Sequence, residues 1–350
     1  MPEGPQMSSG IVRAVAPTRI CDIGGWTDTW FARHGRVCNI GVTPYLEVRV
    51  SVQASNGGRP RVALRAEDLD DDYSFEPGEI PGRHPLLEAT VAEIGVPPGR
   101  SVDITVHSHA LAGSSTGTSA ASVVALAGAL SHVAGRPVDA LEIARTAHRI
   151  ETERLGIEAG VQDHLCAAFG GLNYIEIQSY PTATITPISV SESFRSELER
   201  RLVLVYLGRA HVSSDVHRLV IEHLGDGGRG ARHLEELRHL ADMARDALVD
   251  GDLYAFGRTM TANTESQRQL HPSLVSGDAD LVASIAQTCE ALGWKVNGAG
   301  GDGGSVTVLC GPGQRGRRRL MDEVRRADPA FRAEPVSITR QGLRVWEVPS

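Results

Sequence analysis

The stretch from Ser108 to Ser122 reads SHALAGSSTGTSAAS and consists almost entirely of small and hydroxyl-bearing residues. Before it, the segment SVDITVHSHA (101–110) alternates apolar with polar residues, and after it AASVVALAGALSHVAG (120–135) is a continuous run of small and apolar residues. Alternation with period two predicts a strand, and the continuous run ending at Gly135 predicts a helix. The stretch is therefore predicted to be a turn from a strand into a helix.

Three interpretations of this turn stay open on its residues alone. The segment GSSTG (113–117) has the spacing of a nucleophile elbow, which would make Ser115 the nucleophile of a serine hydrolase. The backbone N–H groups at the helix start, with the hydroxyls of Thr118 and Ser119, would equally suit a bound phosphate. Hydroxyl-bearing residues also cap helices without any further role.

Composition narrows the class of partner. The chain has 350 residues, a net charge of −8 and a pI near 5.9, so it has no basic field to attract nucleic acid or an anionic membrane. No stretch of about 20 apolar residues occurs, and the first residues do not resemble a secretion signal. Five widely spaced cysteines favour neither a disulfide framework nor a zinc site. We expect a cytoplasmic monomer or homodimer that acts on a small molecule.

The lysine content excludes two kinase classes. Lys295 is the only lysine and is followed by Val296, so the Lys-Ser or Lys-Thr pair of a Walker A loop is missing. Its position near the C-terminal end also rules out the strand lysine of the protein kinases.

A second glycine-rich loop, NGAGGDGG (297–304), precedes the apolar segment SVTVLC. A dinucleotide-binding loop should open a helix, whereas this one is predicted to open a strand. Such dense glycine lets the backbone approach a ligand or another segment closely. Two glycine-rich turns fit a phosphate-handling cleft better than a hydrolase.

Acidic residues provide candidates for proton transfer. Glu151 and Glu153 lie near the end of a predicted helix, where carboxylates are usually solvated. Asp163 instead lies among apolar and small residues in GVQDHLCAAFGG (160–171), where a carboxylate needs a partner. It is a candidate general base.

The early loop combines a cation, two acids and two glycines with interleaved tryptophans. Its polar and glycine residues are Arg19, Asp22, Gly24, Gly25, Thr27 and Asp28. A surface turn can have this composition. Trp26 and Trp30 beside the carboxylates indicate instead a site for a polyol, which needs apolar ring faces next to hydrogen-bonding groups.

Four stretches together resemble the motifs of the GHMP kinase superfamily. They are PTRICDIGGWTDT (17–29), GSSTGTSAASVVAL (113–126), GVQDHLCAAFGG (160–171) and KVNGAGGDGG (295–304). Within the superfamily, GGWTDT followed by HGRVCNIGV most resembles the heptose-phosphate kinase and fucokinase branch, whose members phosphorylate the anomeric hydroxyl of a sugar.

The resemblance implies an α+β fold of two domains. The N-terminal domain, residues 11–195, would be of the ribosomal protein S5 domain 2 type and would hold ATP, Mg²⁺ and the sugar loop. The C-terminal domain, residues 196–350, would be ferredoxin-like. The substrates would lie between the two domains.

The resemblance also implies roles in phosphate and metal binding. Gly117, Thr118 and Ser119, with Ser115, would surround the ATP phosphates, and Ser119 would offer its hydroxyl to Mg²⁺. Glu151 would be the carboxylate ligand of that ion, with Glu153 as the alternative.

Catalysis and substrate recognition are implied for the remaining motif residues. Asp163 would take the proton from the acceptor hydroxyl, and Arg19 would stabilise Asp163 and the transferring phosphoryl group. The residues implied in substrate binding are Gly24, Gly25, Thr27, Asp28, Gly298, Gly300 and Gly301. Asp302, where the family commonly has glycine, would either bind a hydroxyl of the acceptor or cap the turn.

The leading hypothesis is thus an ATP- and Mg²⁺-dependent kinase of a sugar or sugar phosphate. One alternative is a cyclitol kinase of a secondary-metabolite pathway. A serine hydrolase would use Ser115 with His211 or His271 as its base. A sugar sensor would keep the fold without the chemistry.

Overall fold

The computed structural model describes residues 10–55, 58–111, 113–209, 213–224 and 229–349. In these ranges it has twelve strands: β1 (Ile11–Ile23), β2 (Gly35–Ala54), β3 (Val62–Ala66), β4 (Asp71–Phe75), β5 (Arg100–Ser108), β6 (Leu172–Ser179), β7 (Thr182–Pro187), β8 (Leu202–Tyr206), β9 (Gly293–Val296), β10 (Ser305–Leu309), β11 (Arg332–Pro335) and β12 (Arg344–Val348).

The same ranges contain ten α-helices: α1 (Pro85–Ile94), α2 (Thr118–Val133), α3 (Ala140–Arg149), α4 (Gln162–Phe169), α5 (Glu192–Arg201), α6 (Ser213–Leu224), α7 (Arg229–Asp250), α8 (Leu253–Leu270), α9 (Gly277–Thr288) and α10 (Gln314–Ala327). Short 3₁₀ turns occupy Glu67–Leu69 and Pro272–Leu274, and a π-helical turn, Ile150–Arg154, extends α3.

The larger sheet is built around β2. Its first part, residues 35–40, pairs with β6, and its second part, residues 46–54, pairs with β5, while β1 runs along its other edge. The main path of this sheet is β12-β1-β2-β5-β3-β4, with β7 added beyond β6. The only parallel pair along the described strands is β3 with β5. This sheet brings the end of β1 beside the segments that follow β5 and precede β6.

The smaller sheet has the antiparallel order β11-β8-β10-β9. Helices α6 to α9 separate β8 from β9, and α10 separates β10 from β11. This strand–helix–strand–strand–helix–strand arrangement is ferredoxin-like. Together with the larger sheet it confirms the predicted α+β class.

Helix α2 is the central helix of the larger core. From Ala120 to Val133 nearly every residue is buried, because the small side chains allow close packing against the sheet on one side and against other helices on the others. Gly128 leaves the space in which Leu343 packs, since a Cβ at Gly128 would lie 2.8 Å from a Leu343 methyl carbon. The predicted strand, turn and helix are therefore present, and the helix is buried over most of its length.

The last strand joins the sheet in which the chain begins. β12 pairs antiparallel with β1, and Val345 lies opposite Ala14. The predicted division between residues 195 and 196 falls inside α5, and the two-domain boundary stays a prediction. Of the helices in the described ranges, none combines the length and apolar character needed to cross a membrane.

Helix α8 packs against the start of β9 through Gly257 and Gly293. A Cβ at Gly257 would lie 2.5 Å from the backbone oxygen of Leu292, which cannot move as a side chain could. We therefore expect Gly257→Ala to lower the free energy of unfolding by about 2 kcal/mol. Gly277→Ala is the matched control, because no atom lies within 4 Å of its added Cβ. Urea unfolding of both variants checks this, and equal stability of the two would contradict the packing.

Candidate functional site

A cavity of about 420 Å³ lies where the start of α2, the end of β1, α4 and the glycine loop after β9 meet. It collects residues that are more than 250 positions apart in the sequence. The predicted site residues that line it are Arg19, Asp28, Ser115, Gly117, Thr118, Ser119, Glu151, Asp163 and Gly298.

An ion pair between the buried Arg19 and the partly exposed Asp163 forms the centre of this cavity. Arg19 Nε donates to Asp163 Oδ1 at 2.8 Å, and Arg19 Nη2 donates to Asp163 Oδ2 at 3.1 Å. Arg19 Nη1 donates to the backbone oxygen of Ser115. Burial alone would lower the pKa of Arg19, but the charges of Asp163 and Asp22 outweigh it and raise that pKa. The guanidinium thus stays charged and fixes the plane of the Asp163 carboxylate.

The start of α2 meets this carboxylate directly. Gly117 has a left-handed backbone with φ of 72°, and its added Cβ would lie 3.2 Å from Asp163 Oδ2. No side chain caps the first turn of α2 among the described residues, and Thr118 and Ser119 both line the cavity. A helix start with unpaired N–H groups favours an anion, so this wall suits phosphate.

The second glycine loop closes the cavity from the other side. Gly298 has φ of 60°, and its N–H points to both oxygens of Asp22, at 3.1 and 3.0 Å. An added Cβ at Gly298 would lie 2.8 Å from the backbone oxygen of Ser115 and 3.1 Å from Arg19 Nη2. The two glycine-rich loops therefore touch each other, and this contact needs glycine at Gly298.

The only lysine of the chain supports that loop. Lys295 is 1% exposed; its Nζ donates to Gln267 Oε1 at 3.0 Å and lies 3.5 Å from Asp22 Oδ1. Burial lowers the pKa of Lys295, opposed by the charge of Asp22. The position of Lys295 in the sequence excludes two kinase classes, but no sequence pattern indicates that its side chain lies beneath the loop.

Glu151 and Glu153 separate at the π-helical turn 150–154. Glu151 lines the cavity, whereas Glu153 lines a different one, of about 230 Å³. His164 Nε2 lies 2.8 Å from Glu151 Oε2, although neither ring nitrogen of His164 makes a regular hydrogen bond with a described residue. Burial opposes ionisation of Glu151, but its contact with His164 outweighs burial and lowers its pKa. Glu151 is therefore available as a charged ligand in the cavity.

Asp28 is a buried acid whose negative charge is stabilised chiefly by one backbone N–H, that of Gln162. It is 2% exposed, and its Oδ2 accepts the backbone N–H of Gln162 at 3.1 Å. Gly160 lies so close that its added Cβ would be 2.0 Å from the same oxygen. Burial raises the pKa of Asp28 to about 6, opposed by the N–H of Gln162.

Other predicted substrate-binding residues do not line this cavity. Gly24 packs on the backbone oxygen of Arg36, and its N–H donates to Asn263 Oδ1 at 2.7 Å. Gly25 packs on Asp22, and the hydroxyl of Thr27 donates to the backbone oxygen of Gly24 at 2.7 Å. These residues shape the loop that carries Asp28.

In the second glycine loop, two more predicted residues lie behind the cavity wall. Gly300 packs against the backbone oxygen of Leu274, and the N–H of Gly301 donates to that oxygen at 3.2 Å. Asp302 also lies outside the cavity, and its carboxylate approaches Arg209 Nη1 at 3.4 Å.

Of the residues of the hydrolase alternative, Ser115 and His271 are not brought together in this cavity. Ser115 lines the cavity, whereas His271 does not and instead contacts Ser273 at 2.6 Å. His211 lies outside the described residues.

Several cavity residues were not among the predicted ones. His164, His217 and Glu158 all line it. Glu158 accepts a hydrogen bond from the indole of Trp30, and His217 packs on Trp26 with ring centroids 4.8 Å apart. Only their closeness in sequence to Asp163 or Glu151 could have indicated His164 and Glu158, and no sequence signal points to His217.

Comparison with known proteins gives a family match. The family model of the GHMP kinases N terminal domain matches residues 85–171. The chain is 30% identical over 257 residues to a galactokinase of Mycobacterium tuberculosis strain H37Rv, covering 66% of this chain and 69% of that protein.

Two further proteins match nearly the whole chain. A D-glycero-alpha-D-manno-heptose 7-phosphate kinase of Campylobacter jejuni is 23% identical over 347 residues, which is 96% of this chain and 99% of that protein. The crystal structure of a D-glycero-D-manno-heptose 1-phosphate kinase from Bacteroides thetaiotaomicron superposes with a TM-score of 0.76 at 23% identity, covering 97% of this chain and 100% of that one.

The raised pKa of Asp28 has a consequence for stability. Its folded pKa of about 6 exceeds the ordinary 3.8, so the folded state binds more protons between these values. The stability contribution of this group is complete below pH 3.8 and is lost as the pH rises through 6.

We therefore expect Asp28→Asn to gain roughly 1 kcal/mol relative to the unsubstituted protein between pH 5 and pH 8. Urea unfolding at both pH values measures this difference, with the exposed Asp103→Asn as control. A constant offset at the two pH values would contradict the shift.

Proposed function

The chain belongs to the GHMP kinase family, and from this premise we propose that it transfers the γ-phosphoryl group of ATP to the anomeric hydroxyl of a sugar or sugar phosphate. One observation carries the proposal: Arg19 holds both oxygens of Asp163 against Gly117, at the uncapped start of α2. A proton acceptor and a phosphate-binding wall thus face the same cavity.

Asp163 acts as the general base. As the acceptor oxygen bonds to the γ-phosphorus, its proton passes to the Asp163 carboxylate, and the bond from that phosphorus to the β,γ-bridging oxygen breaks to release ADP. Arg19 keeps the carboxylate in one orientation throughout. Its charge also lies at the point where the transferring group must pass, which stabilises negative charge there.

The start of α2 binds the ATP phosphates. Gly117, Thr118 and Ser119 present N–H groups and hydroxyls along one wall, and Ser115 continues that wall. Gly298 holds the loop in place from the opposite side through its contact with Ser115. Positioning of this kind supplies most of the catalysis in phosphoryl transfer.

The residues present fit Mg²⁺. Ser119 and Glu151 offer a hydroxyl and a charged carboxylate to the same cavity, and Mg²⁺ in kinase sites needs few protein ligands because phosphate oxygens and water complete its shell. When bound, Mg²⁺ neutralises charge on the phosphates. We assign Glu151 rather than Glu153 as the carboxylate ligand, because Glu153 lines the other cavity.

Asp28 recognises the acceptor. Its buried carboxylate can accept hydrogen bonds from sugar hydroxyls, and Gly24, Gly25 and Thr27 hold the loop that presents it.

Asp163→Asn tests the base. We expect kcat to fall about 10²- to 10⁴-fold while ATP binding is retained, because the amide keeps the shape but cannot take the proton. ADP release and calorimetric ATP titration measure the two effects. Near-normal turnover would contradict the assignment.

Ser115→Ala separates the two enzyme classes. A kinase would keep phosphoryl transfer, with at most weaker ATP binding, whereas a hydrolase that uses Ser115 would lose its activity entirely. A sugar sensor would bind sugar without consuming ATP in any variant.

Glu151→Gln tests the metal ligand. We expect the factor by which Mg²⁺ increases the affinity for ATP, measured by calorimetry, to fall at least tenfold. Ser119→Ala should lower this factor as well. Glu153→Gln is the matched control. If Glu153→Gln weakened the Mg²⁺ dependence and Glu151→Gln did not, the two assignments would be exchanged.

A further inference from the structure

The cavity wall carries an excess of negative charge. The described acidic residues that line it are Asp22, Asp28, Glu151, Glu158 and Asp163. Arg19 is the one arginine or lysine in the described lining, and His164 and His217 are the histidines. Asp163 is paired with Arg19 and Asp22 with Lys295, so an anionic acceptor would meet the carboxylates of Asp28, Glu151 and Glu158.

Three of the five N–H donors of that guanidinium are already used within the protein. Nε and Nη2 of Arg19 donate to the carboxylate of Asp163, and Nη1 donates to the backbone oxygen of Ser115. The side chain is 6% exposed. The proposed function assigns its remaining charge to the transferring phosphoryl group, so a second phosphate on the acceptor would have to share this one cation.

The cations next to the cavity are also paired. Lys295 lies beneath the loop with Asp22 and Gln267 as neighbours. Arg209 is the arginine beside the second glycine loop, and Asp302 and Asp278 approach its guanidinium at 3.4 and 3.9 Å. Asp302 thus competes for a cation that could otherwise serve an anionic acceptor.

The acceptor end of the cavity offers groups suited to hydroxyls. The buried carboxylate of Asp28 accepts hydrogen bonds there, and Trp26, which is 5% exposed, lines the same wall. Nε1 of Trp26 is buried and has no hydrogen-bond partner among the described residues. An acceptor that brings both an oxygen and hydroxyl protons would satisfy both groups.

Resting on the proposed function, we propose that the acceptor is a hydroxyl-rich ring without a phosphate group, either neutral or bearing an amine, and that the carboxylate wall discriminates against sugar phosphates. Like charges that meet in a cleft disfavour binding, and this discrimination needs no steric block. An amine would add a favourable charge opposite Asp28 and Glu158.

Matched sugars provide the test with the full chain and Mg·ATP. Each hexose, such as galactose or mannose, is compared with its 2-amino-2-deoxy derivative and its 6-phosphate, and inositols and their amines extend the panel. ADP release gives kcat/KM, which we expect to be at least 30-fold higher for the free or amino compound than for the phosphate. Equal or reversed preference would overturn the inference.

The outcomes separate this inference from the proposed function. If calorimetry shows that Mg·ATP binds but no unphosphorylated ring is phosphorylated, the inference fails and the kinase assignment stays. If ATP does not bind and no compound of the panel causes ADP release, the proposed function itself fails.

Removal of one carboxylate charge from the cavity tests whether charge causes the preference. Glu158→Gln should raise the ratio of kcat/KM for the phosphate to that for the free sugar at least threefold. Glu153→Gln, an equal change outside the cavity, should leave that ratio unaltered. The ratio should also rise with salt, because screening weakens charge repulsion. A ratio that neither Glu158→Gln nor salt changes would show a steric cause and overturn the charge argument.

Discussion

The buried guanidinium of Arg19 is the constraint on which the rest of the site depends. It lies at the inner end of β1 and joins three segments at once: its own strand, the loop before α2 through Ser115, and α4 through Asp163. The backbone N–H of Arg19 also donates to the backbone oxygen of Thr116 at 2.9 Å. A buried charge is stable only when it is paired and hydrogen-bonded, so the fold must bring these segments together. The arrangement of Arg19, Asp163 and Ser115 thus satisfies one buried cation.

A second buried pair extends the same principle across the molecule. Lys295 and Asp22 connect the strand before the second glycine loop to the end of β1, and the oxygens of Asp22 then accept the N–H of Gly298. Because Gly298 also touches Ser115, the two ion pairs are linked through backbone contacts that leave no room for a side chain. Gly298 and Gly300 of this loop are thus explained by close approach to protein atoms.

The sequence predicts the local elements and the motif residues but not how they pack. Alternation and small-residue runs were sufficient to predict β5, the turn and α2, because these signals lie within one element. The choice between Glu151 and Glu153 depended on a π-helical turn, which rotates successive side chains differently from an α-helix and has no periodic signal. The pairing of β12 with β1 and the contact of His217 with Trp26 join distant parts of the chain, so no window of sequence could indicate them.

Two acids in the same wall show how surroundings decide what a carboxylate can do. Burial penalises the charge of both, yet the pKa of Asp28 rises to about 6 while that of Glu151 falls below its ordinary value. The difference lies in their partners, since Glu151 has the imidazole of His164 at 2.8 Å whereas Asp28 has the backbone N–H of Gln162 and the repulsion of other acids. Glu151 is therefore charged before any ligand arrives and suits a cation. Asp28 gains most from additional hydrogen-bond donors, which is what the hydroxyls or the amine of an acceptor would supply.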